Sequence, residues 1–444
     1  MAMMRTPPAL IFGERSQNKK AGYLPMHPLN ITVIGGGSTY TPELIEGFIL
    51  HRESLPVQRL TLMDISAERL EVVGGLAKRM LEGTGIEIVL TTERDAAIAG
   101  SDFVLTQFRV GGLMARAQDE HIPLKYGVIG QETTGPGGFT KALRTVPQVL
   151  EIARTMERIA PHAYLINFTN PSGLVTEAVT RHTRIRALGL CNVPINMLYG
   201  VAEQLGVEPH RVTLDYVGLN HLSFARTVYL DGQDVTEQAL NWRDAGFDPT
   251  WLKAIKMVPN YYLKYYVHHN HALDETLRAE ETRADYLLKV ENELLEMYRD
   301  PALRTKPALL SERGGARYSM AAVSLIRAIA NNLKEVHIVN VRNGNSLPDL
   351  PEESVVEVPA VIDAHGAVPQ AMGHMPPQIR GLIQAVKAYE ELTIEAALTG
   401  DRDKARLALM AHPLVPNWDT ACALLDDLLK ANEAYLPQFT PHRG

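Results

Sequence analysis

The feature that most constrains this chain is the alternation of short apolar runs with amphipathic stretches between residues 30 and 195. "ITVIG" (31–35), "LTLMD" (60–64), "IEIVLT" (86–91), "DFVLTQF" (102–108), "AYLINF" (163–168) and "RALGLC" (186–191) read as six strands, with helical stretches such as 66–82 and 143–160 between them. Strand, helix, strand in succession implies crossover connections, hence an α/β fold built on a doubly wound parallel sheet with helices on both faces. In such a sheet ligands bind beyond the carboxyl ends of the strands, which makes the residues ending each run the first candidates for function.

Beyond residue 195 the alternation weakens and helices dominate. "TLDYVGLNHLSFARTVYLDGQ" (213–233) suggests a strand pair broken at Gly218, Leu219, Asn220 and His221. Residues 260–297, charged, aromatic and free of proline, read as helical. "KEVHIVNV" and "SVVEVPAVID" read as strands of a smaller sheet. Ile379, Leu382, Ile383, Val386 and Tyr389 recur at helical spacing, the buried stripe of an amphipathic helix.

The formal charge of -7 argues against a general affinity for nucleic acid or acidic membranes, since phosphate binding needs a basic surface. No run of 18 apolar residues is present to span a bilayer. Two cysteines, 231 positions apart, make no disulfide framework and point to a reducing, cytoplasmic compartment. The Pro-interrupted N-terminal segment lacks a secretory pattern and is read as a tail, with Met26 as an alternative initiator.

"VIGGGSTYTPEL" (33–44) closes the first strand and opens a helix. Gly35 and Gly37 match the first two glycines of the dinucleotide fingerprint, which lets the backbone approach a pyrophosphate at a helix N-terminus. Tyr40 stands where the third glycine is usual, and a plain tight turn would take the same residues. Asp64 ends the next strand, where a carboxylate can bond a ribose diol, which favours NAD over NADP; it lies 29 residues after Gly35. Gly35, Gly36, Gly37, Ser38, Thr39, Tyr40 and Asp64 are therefore the expected cofactor contacts.

"GVIGQETTGPGGF" (127–139) carries too many glycines for a core element and is expected to be either a surface connection or a backbone wall over a ligand, presenting Gln131 and Glu132. "NFTNP" (167–171) ends the fifth strand, where its asparagines either cap a helix or face a ligand. Cys191 of "GLCNVP" is a small buried hydrophobe on the plainest reading. With His221 it also forms the one Cys and His pair beside glycine-containing breaks at the sheet edge. Thiolate and imidazole are good ligands for a divalent transition metal, and a catalytic ion completed by substrate oxygens needs fewer protein ligands than structural zinc. The histidines of "HHNH" (268–271) read as a solvated helix face.

Taken in order, "VIGGGSTYTPELIEGF", "QFRVGG", "GQETTGPGG", "NFTNPSG", "GLCNVP", "GLNHL", "RGGARYS" and "VVEVPAVID" resemble the NAD-dependent glycoside hydrolases of family 4, in their 6-phospho-β-glucosidase branch. That family is a recognised exception to glycoside hydrolysis by two carboxylates. The resemblance implies a Rossmann, lactate/malate-dehydrogenase-like sheet with a mixed α+β C-terminal domain. The expected division is a tail (1–27), a dinucleotide-binding domain (28–195) and a domain for substrate, metal and oligomer contacts (196–444).

The resemblance further implies that a glycosidic bond breaks by oxidation at C3, proton removal at C2, elimination, addition of water and reduction, with NAD+ restored in each turnover. By the same analogy Cys191 and His221 hold a divalent metal, usually manganese, against the sugar oxygens. Tyr262 of "VPNYYLKYY" matches the family's base, with Tyr261 beside it. A phenol of pKa ~10 can serve only if the cation and a desolvated site lower that value. Arg109 and Asn170 are expected at the 6-phosphate, with Arg283 of "ETRAD" as a third contact, and Asn192 is also expected at the substrate. Asn192 cannot protonate a leaving group, which favours the β branch; Glu132 is a candidate for a sugar-hydroxyl contact or for proton handling through water. Arg317 replaces a more usual aromatic and is expected to alter the substrate rim. The implied partner is a phosphorylated β-glucoside, with no nucleic acid and no membrane, and the implied assembly is a homodimer or homotetramer. The competing expectation is a 2-hydroxy-acid dehydrogenase of the lactate/malate type, which the lack of an identifiable His–Asp pair weighs against.

Overall fold

The computed structural model describes residues 27–240, 246–314 and 317–440. Apart from His27, the expected tail and Met26 lie outside the described residues. All six expected strands form: β1 (Leu29–Ile34), β2 (Val57–Met63), β3 (Glu87–Thr91), β4 (Phe103–Thr106), β5 (Tyr164–Asn167) and β6 (Arg186–Gly189). They pair in parallel in the order β6-β5-β4-β1-β2-β3. Every residue of β4 and β5 is buried, because helices cover both faces, and this is why these strands read as continuous apolar runs. Each fully buried Leu, Val or Ile contributes roughly 1.5–3 kcal/mol. The order reverses between β1 and β4, which opens a crevice at the carboxyl ends of these two strands.

A second sheet follows, made of β7 (Val212–Leu219), β8 (Leu222–Leu230), β9 (Gln233–Asp234) and β10 (Val258–Pro259). The expected strand pair is the β7–β8 hairpin, and its turn places His221 at φ 65°.

The late strands do not belong to a smaller sheet. β11 (Glu335–Arg342), β12 (Val355–Asp363) and β13 (Gly366–Pro369) extend the main sheet to nine strands, β11 pairing antiparallel with β6 and each later strand antiparallel to the one before it. Their contact is Asn340 opposite Gly189. A Cβ at Gly189 would stand 2.8 Å from Asn340 Cβ and 2.3 Å from Thr176 Oγ1, so the missing side chain is what admits β11 to this edge. Joining the sheet covers an edge that would otherwise be open.

The glycine-rich stretch is also more ordered than its composition suggests. A helix begins at Gly135 and runs to Ile159, and Gly135 to Phe139 are buried in its first turns. Cβ atoms at Gly137 and Gly138 would lie 2.2 Å from the Gln131 carbonyl oxygen and 2.5 Å from the Thr133 carbonyl carbon. Those glycines let the loop 130–134 fold onto the helix start, and it is this loop that forms a cleft wall.

The charged region after residue 260 is broken into a short 3-10 turn, Tyr261–Leu263, and helices Lys264–Val267, His269–Arg278 and Arg283–Arg299. The last starts with a reciprocal capping box between Thr282 and Asp285. The amphipathic stripe lies in helix Pro377–Thr399 with Ile379, Ile383, Val386 and Tyr389 buried, and the same helix buries Lys387 and Glu390. No described helix is long and apolar enough to cross a membrane.

Candidate active site

One cleft of about 1340 Å3 crosses the carboxyl ends of β1, β2, β4, β5 and β6 and is closed by the second half of the chain. Gly35, Ser38, Tyr40, Asp64, Arg109, Glu132, Asn170, Cys191, Asn192, His221, Tyr262 and Arg283 all line it. Residues drawn from positions 35 to 283 of the sequence are thus brought to one surface.

At one end Gly35, with φ 90°, turns the chain out of β1. A Cβ at Gly36 would stand 2.7 Å from Leu62 Cβ, so that glycine is dictated by packing on β2. Gly37 donates its N–H to Asp64 Oδ2 at 3.0 Å, while Asp64 Oδ1 accepts from Ser66 N at 3.0 Å. Asp64 thereby fixes the turn and keeps lone pairs toward the cleft. Tyr40 at the third fingerprint position packs edge-on against Tyr318, ring centroids 5.1 Å apart. Thr39 departs from expectation: its hydroxyl donates to Glu291 Oε1 at 3.3 Å and its carbonyl accepts from Tyr298 at 2.7 Å. It ties the turn to helix Arg283–Arg299 and does not line the cleft.

At the other end Cys191 Sγ lies 3.3 Å from His221 Nε2. The sulfur sits over the N-terminus of helix Val193–Leu205 and accepts from Val193 N at 3.5 Å. Burial, then the negative charge of Glu357, push its thiol up to about 12, against the opposing Val193 N–H and Asn220 amide. Burial pulls the His221 imidazole down to about 3. Its Nδ1 is 2.7 Å from Thr133 Oγ1, which leaves Nε2 toward the sulfur. A neutral imidazole held from behind suits a metal ligand, whereas the thiol would surrender its proton on binding. Among the described residues no cluster of three or more His, Cys, Asp or Glu is arranged to hold a metal, so this pair fits an ion whose other positions are filled by non-protein oxygens.

Tyr262 stacks on His221 with centroids 4.1 Å apart and planes at 10°. Burial, then Tyr261 and Glu132, push its phenol well above the usual value. This corrects the expectation that desolvation would help the phenolate form: burial disfavours it, and positive charge or hydrogen bonds donated to the phenolate must bring the value down.

Glu132 is the centre of a cationic cluster. Its carboxylate meets Arg109 at 2.5 Å, Lys141 at 2.9 Å and Arg116 at 3.3 Å. Burial pushes the carboxyl up, but the three cations outweigh it and hold it well below the usual range. Glu132 is therefore an anchor and acceptor, poorly suited to deliver a proton. Burial, then Arg109, pull the Lys141 ammonium down to about 7. Arg116 also pairs with Glu120 at 2.7 Å.

Asn170 precedes helix Ser172–His182, and its Oδ1 accepts from Ser172 N at 3.3 Å. Asn192 begins the helix that follows Cys191, with its Oδ1 3.9 Å from the sulfur. Arg283 reaches the Glu312 carbonyl at 2.6 Å on the cleft rim. Arg317 is not at the rim: its guanidinium bonds Asn196 Oδ1 at 3.1 Å and stacks over Tyr199, facing helix Val193–Leu205. Gly315 and Ala316 of the same motif lie outside the described residues. Among the described residues two His–Asp pairs exist, His121–Asp285 at 3.1 Å and His374–Asp349 at 2.9 Å, but neither histidine lines the cleft. Lys141, Arg116, Arg313 and Thr133 were not singled out by sequence reasoning. Lys141 follows Glu132 by nine residues, a spacing that only the helix beginning at Gly135 turns into a contact.

Residues 30–207 match the model of the family 4 glycosyl hydrolases, and residues 216–415 match that of the family's C-terminal domain. A probable 6-phospho-β-glucosidase of Bacillus subtilis is 48% identical over 93% of this chain and 98% of its own. The 6-phospho-β-glucosidase of Thermotoga maritima, solved with manganese, NAD+ and glucose-6-phosphate, superposes with a TM-score of 0.87 at 38% identity, covering 92% of this chain and 99% of its own. Malate dehydrogenase of Cryptosporidium parvum, at 13% identity and a TM-score of 0.53 over 84% of this chain and 99% of its own, shares the fold alone. This chain belongs to family 4 of the glycosyl hydrolases.

Proposed function

We propose that this protein hydrolyses 6-phospho-β-glucosides with NAD+ and a divalent cation, Mn2+ for preference. The observation that carries the reading is the convergence, in one cleft, of a glycine turn with a ribose-type carboxylate, a thiol–imidazole pair 3.3 Å apart, a tyrosine stacked on that imidazole and a surplus of cations. When bound, NAD+ supplies a reversible hydride acceptor and the cation a Lewis acid for the sugar oxygens.

The chain's own residues do the rest. Gly35 to Ser38 and Asp64 bind the dinucleotide; Cys191 and His221 hold the cation. Tyr262 takes the C2 proton, with the Arg116 guanidinium among the positive charges that favour its phenolate. Arg109 and Asn170 bind the 6-phosphate, with Arg283 at the rim, and Glu132 orients the cations and accepts from a sugar hydroxyl. Asn192 contacts substrate without protonating the leaving group. We retain the division into a dinucleotide-binding domain (28–195) and a substrate and metal domain (196–444), a cytoplasmic location and a homodimer or homotetramer as parts of the same reading.

The test is release of p-nitrophenol from its 6-phosphorylated β-glucoside in the presence of NAD+ and Mn2+. Turnover without net NADH is expected. Faster cleavage of the unphosphorylated glucoside, or NADH accumulating in excess over enzyme as in a 2-hydroxy-acid dehydrogenase, would contradict the reading.

A further inference from the structure

Glu357 stands in the middle of β12, in a stretch that none of the roles above uses. It is fully buried, and its carboxylate accepts from Asn220 Nδ2 at 3.1 Å, Asn340 Nδ2 at 3.1 Å, the Tyr216 hydroxyl at 3.0 Å and Ser223 Oγ at 3.5 Å. All four donors are neutral. Among the described residues no lysine, arginine or histidine forms an ion pair with it. The other fully buried carboxylates, Asp119 and Glu177, each meet a cation, at 2.7 Å and 2.6 Å. A buried carboxylate without a cation is costly, because neutral donors replace only part of its hydration.

The donors show where the missing positive charge belongs. Asn220 immediately precedes His221 in the β7–β8 turn, and Ser223 follows it by two residues. Gly173 presses on the same turn: a Cβ there would lie 3.0 Å from Asn220 Cβ and 3.2 Å from Asn340 Oδ1. Glu357 therefore holds the side chains on both sides of the imidazole, Asn220 just before it and Ser223 two residues after it.

We propose that Glu357 is the positioning residue and counter-charge of the Cys191–His221 site, fixing the His221 turn through Asn220 and balancing a divalent cation held there. This rests on the metal reading above. Carboxylates behind metal ligands orient them, and their loss typically weakens metal binding by about 10–100-fold.

The experiment is Mn2+ binding, read by the spin-resonance signal of free Mn2+, on wild-type protein and on Cys191→Ser, Glu357→Gln and Glu357→Asp. Glu357→Gln keeps the shape and removes the charge; it is expected to weaken Mn2+ by about 10–100-fold while NAD+ affinity stays within about twofold. Glu357→Asp, which keeps the charge, is expected to fall between wild type and Glu357→Gln. Should Glu357→Gln fail to fold, Asn220→Ala, which cuts the arm to the His221 turn and leaves the carboxylate in place, is expected to weaken Mn2+ several-fold, and unchanged affinity there overturns the proposal. Wild-type binding with an equal affinity in Glu357→Gln, or Glu357→Asp as weak as Glu357→Gln, overturns the Glu357 assignment alone. Wild-type protein that binds no Mn2+, or binds it equally in Cys191→Ser, removes the metal reading and this proposal with it.

Discussion

Two lysines are equally hidden from water in this molecule and behave in opposite ways. Lys141 and Lys387 each have a side chain 2% exposed. Lys387 lies between two carboxylates, Glu177 at 2.6 Å and Glu390 at 2.5 Å, and donates to the Val355 carbonyl at 2.9 Å. Burial pulls its ammonium down, but those two carboxylates outweigh burial and push it above its ordinary value. Lys141 shares a single carboxylate, Glu132, with Arg109 and Arg116, and its ammonium falls to about 7. One cluster is closed by the protein itself, with Arg181 as a second cation on Glu177 at 3.3 Å. The other opens on the cleft with more cations than anions, the composition expected of a site that waits for an anionic ligand.

The comparison is sharpened first where the effect is largest. Removing the metal with a chelator, or Cys191→Ser, should abolish hydrolysis of phosphorylated β-glucosides. Tyr262→Phe should lower kcat by about 10^2–10^4-fold with little change in NAD+ affinity, as expected for loss of a proton-transfer group. Steady-state kinetics with a cofactor titration checks both.

Lys387→Met should then cost about 3–5 kcal/mol of stability in chemical denaturation, since it removes the cation shared by two buried carboxylates and strands Glu390, yet leave KM for the phosphorylated substrate unaltered. Lys141→Met should do the reverse, raising KM by about 10–100-fold, the equivalent of one charged hydrogen bond, with a smaller loss of stability. If both variants lose stability equally and KM moves in neither, the distinction between the two clusters is wrong.

Much of the first half of this fold was legible because parallel strands covered on both faces have no polar alternation to hide them: β4 and β5 appear in the sequence nearly at their true limits. The placement of β11 to β13 was not, because nothing local says that an antiparallel strand will join the edge of β6; that depends on the absent side chain at Gly189. Cys191 and His221 could be named because each stands at a break in a periodic stretch, and Tyr262 because "VPNYYLKYY" resembles the stretch that carries the family's base. Lys141 and Glu357 could not, since each looks like an ordinary residue of a helix or strand until the fold supplies its partners. Thr39 and Arg317 mislead for a related reason. Adjacency to a motif does not fix which way a side chain points, and these two face helices Arg283–Arg299 and Val193–Leu205.

The smallest effect concerns pH. His412 is buried and its Nε2 accepts from Gly135 N at 3.2 Å, at the start of the helix that carries Lys141. Burial pulls its imidazole down to about 3. The unfolded chain therefore binds the proton first: the stability this neutral histidine contributes is complete above its ordinary value of ~6.5 and is lost as pH falls toward the folded value. Stability should decline by up to about 1.4 kcal/mol per pH unit in that window from this group, and His412→Gln should flatten the slope by one proton. Denaturant titrations between these pH limits measure it; an unchanged slope would place the buried proton elsewhere.

The central claim is that the sugar's C2 hydrogen is removed as a proton during hydrolysis, and its most direct test is turnover in D2O followed by NMR of the released glucose 6-phosphate. Deuterium at C2 of the product is the result this account requires. Full retention of protium at C2, with hydrolysis proceeding, would contradict it.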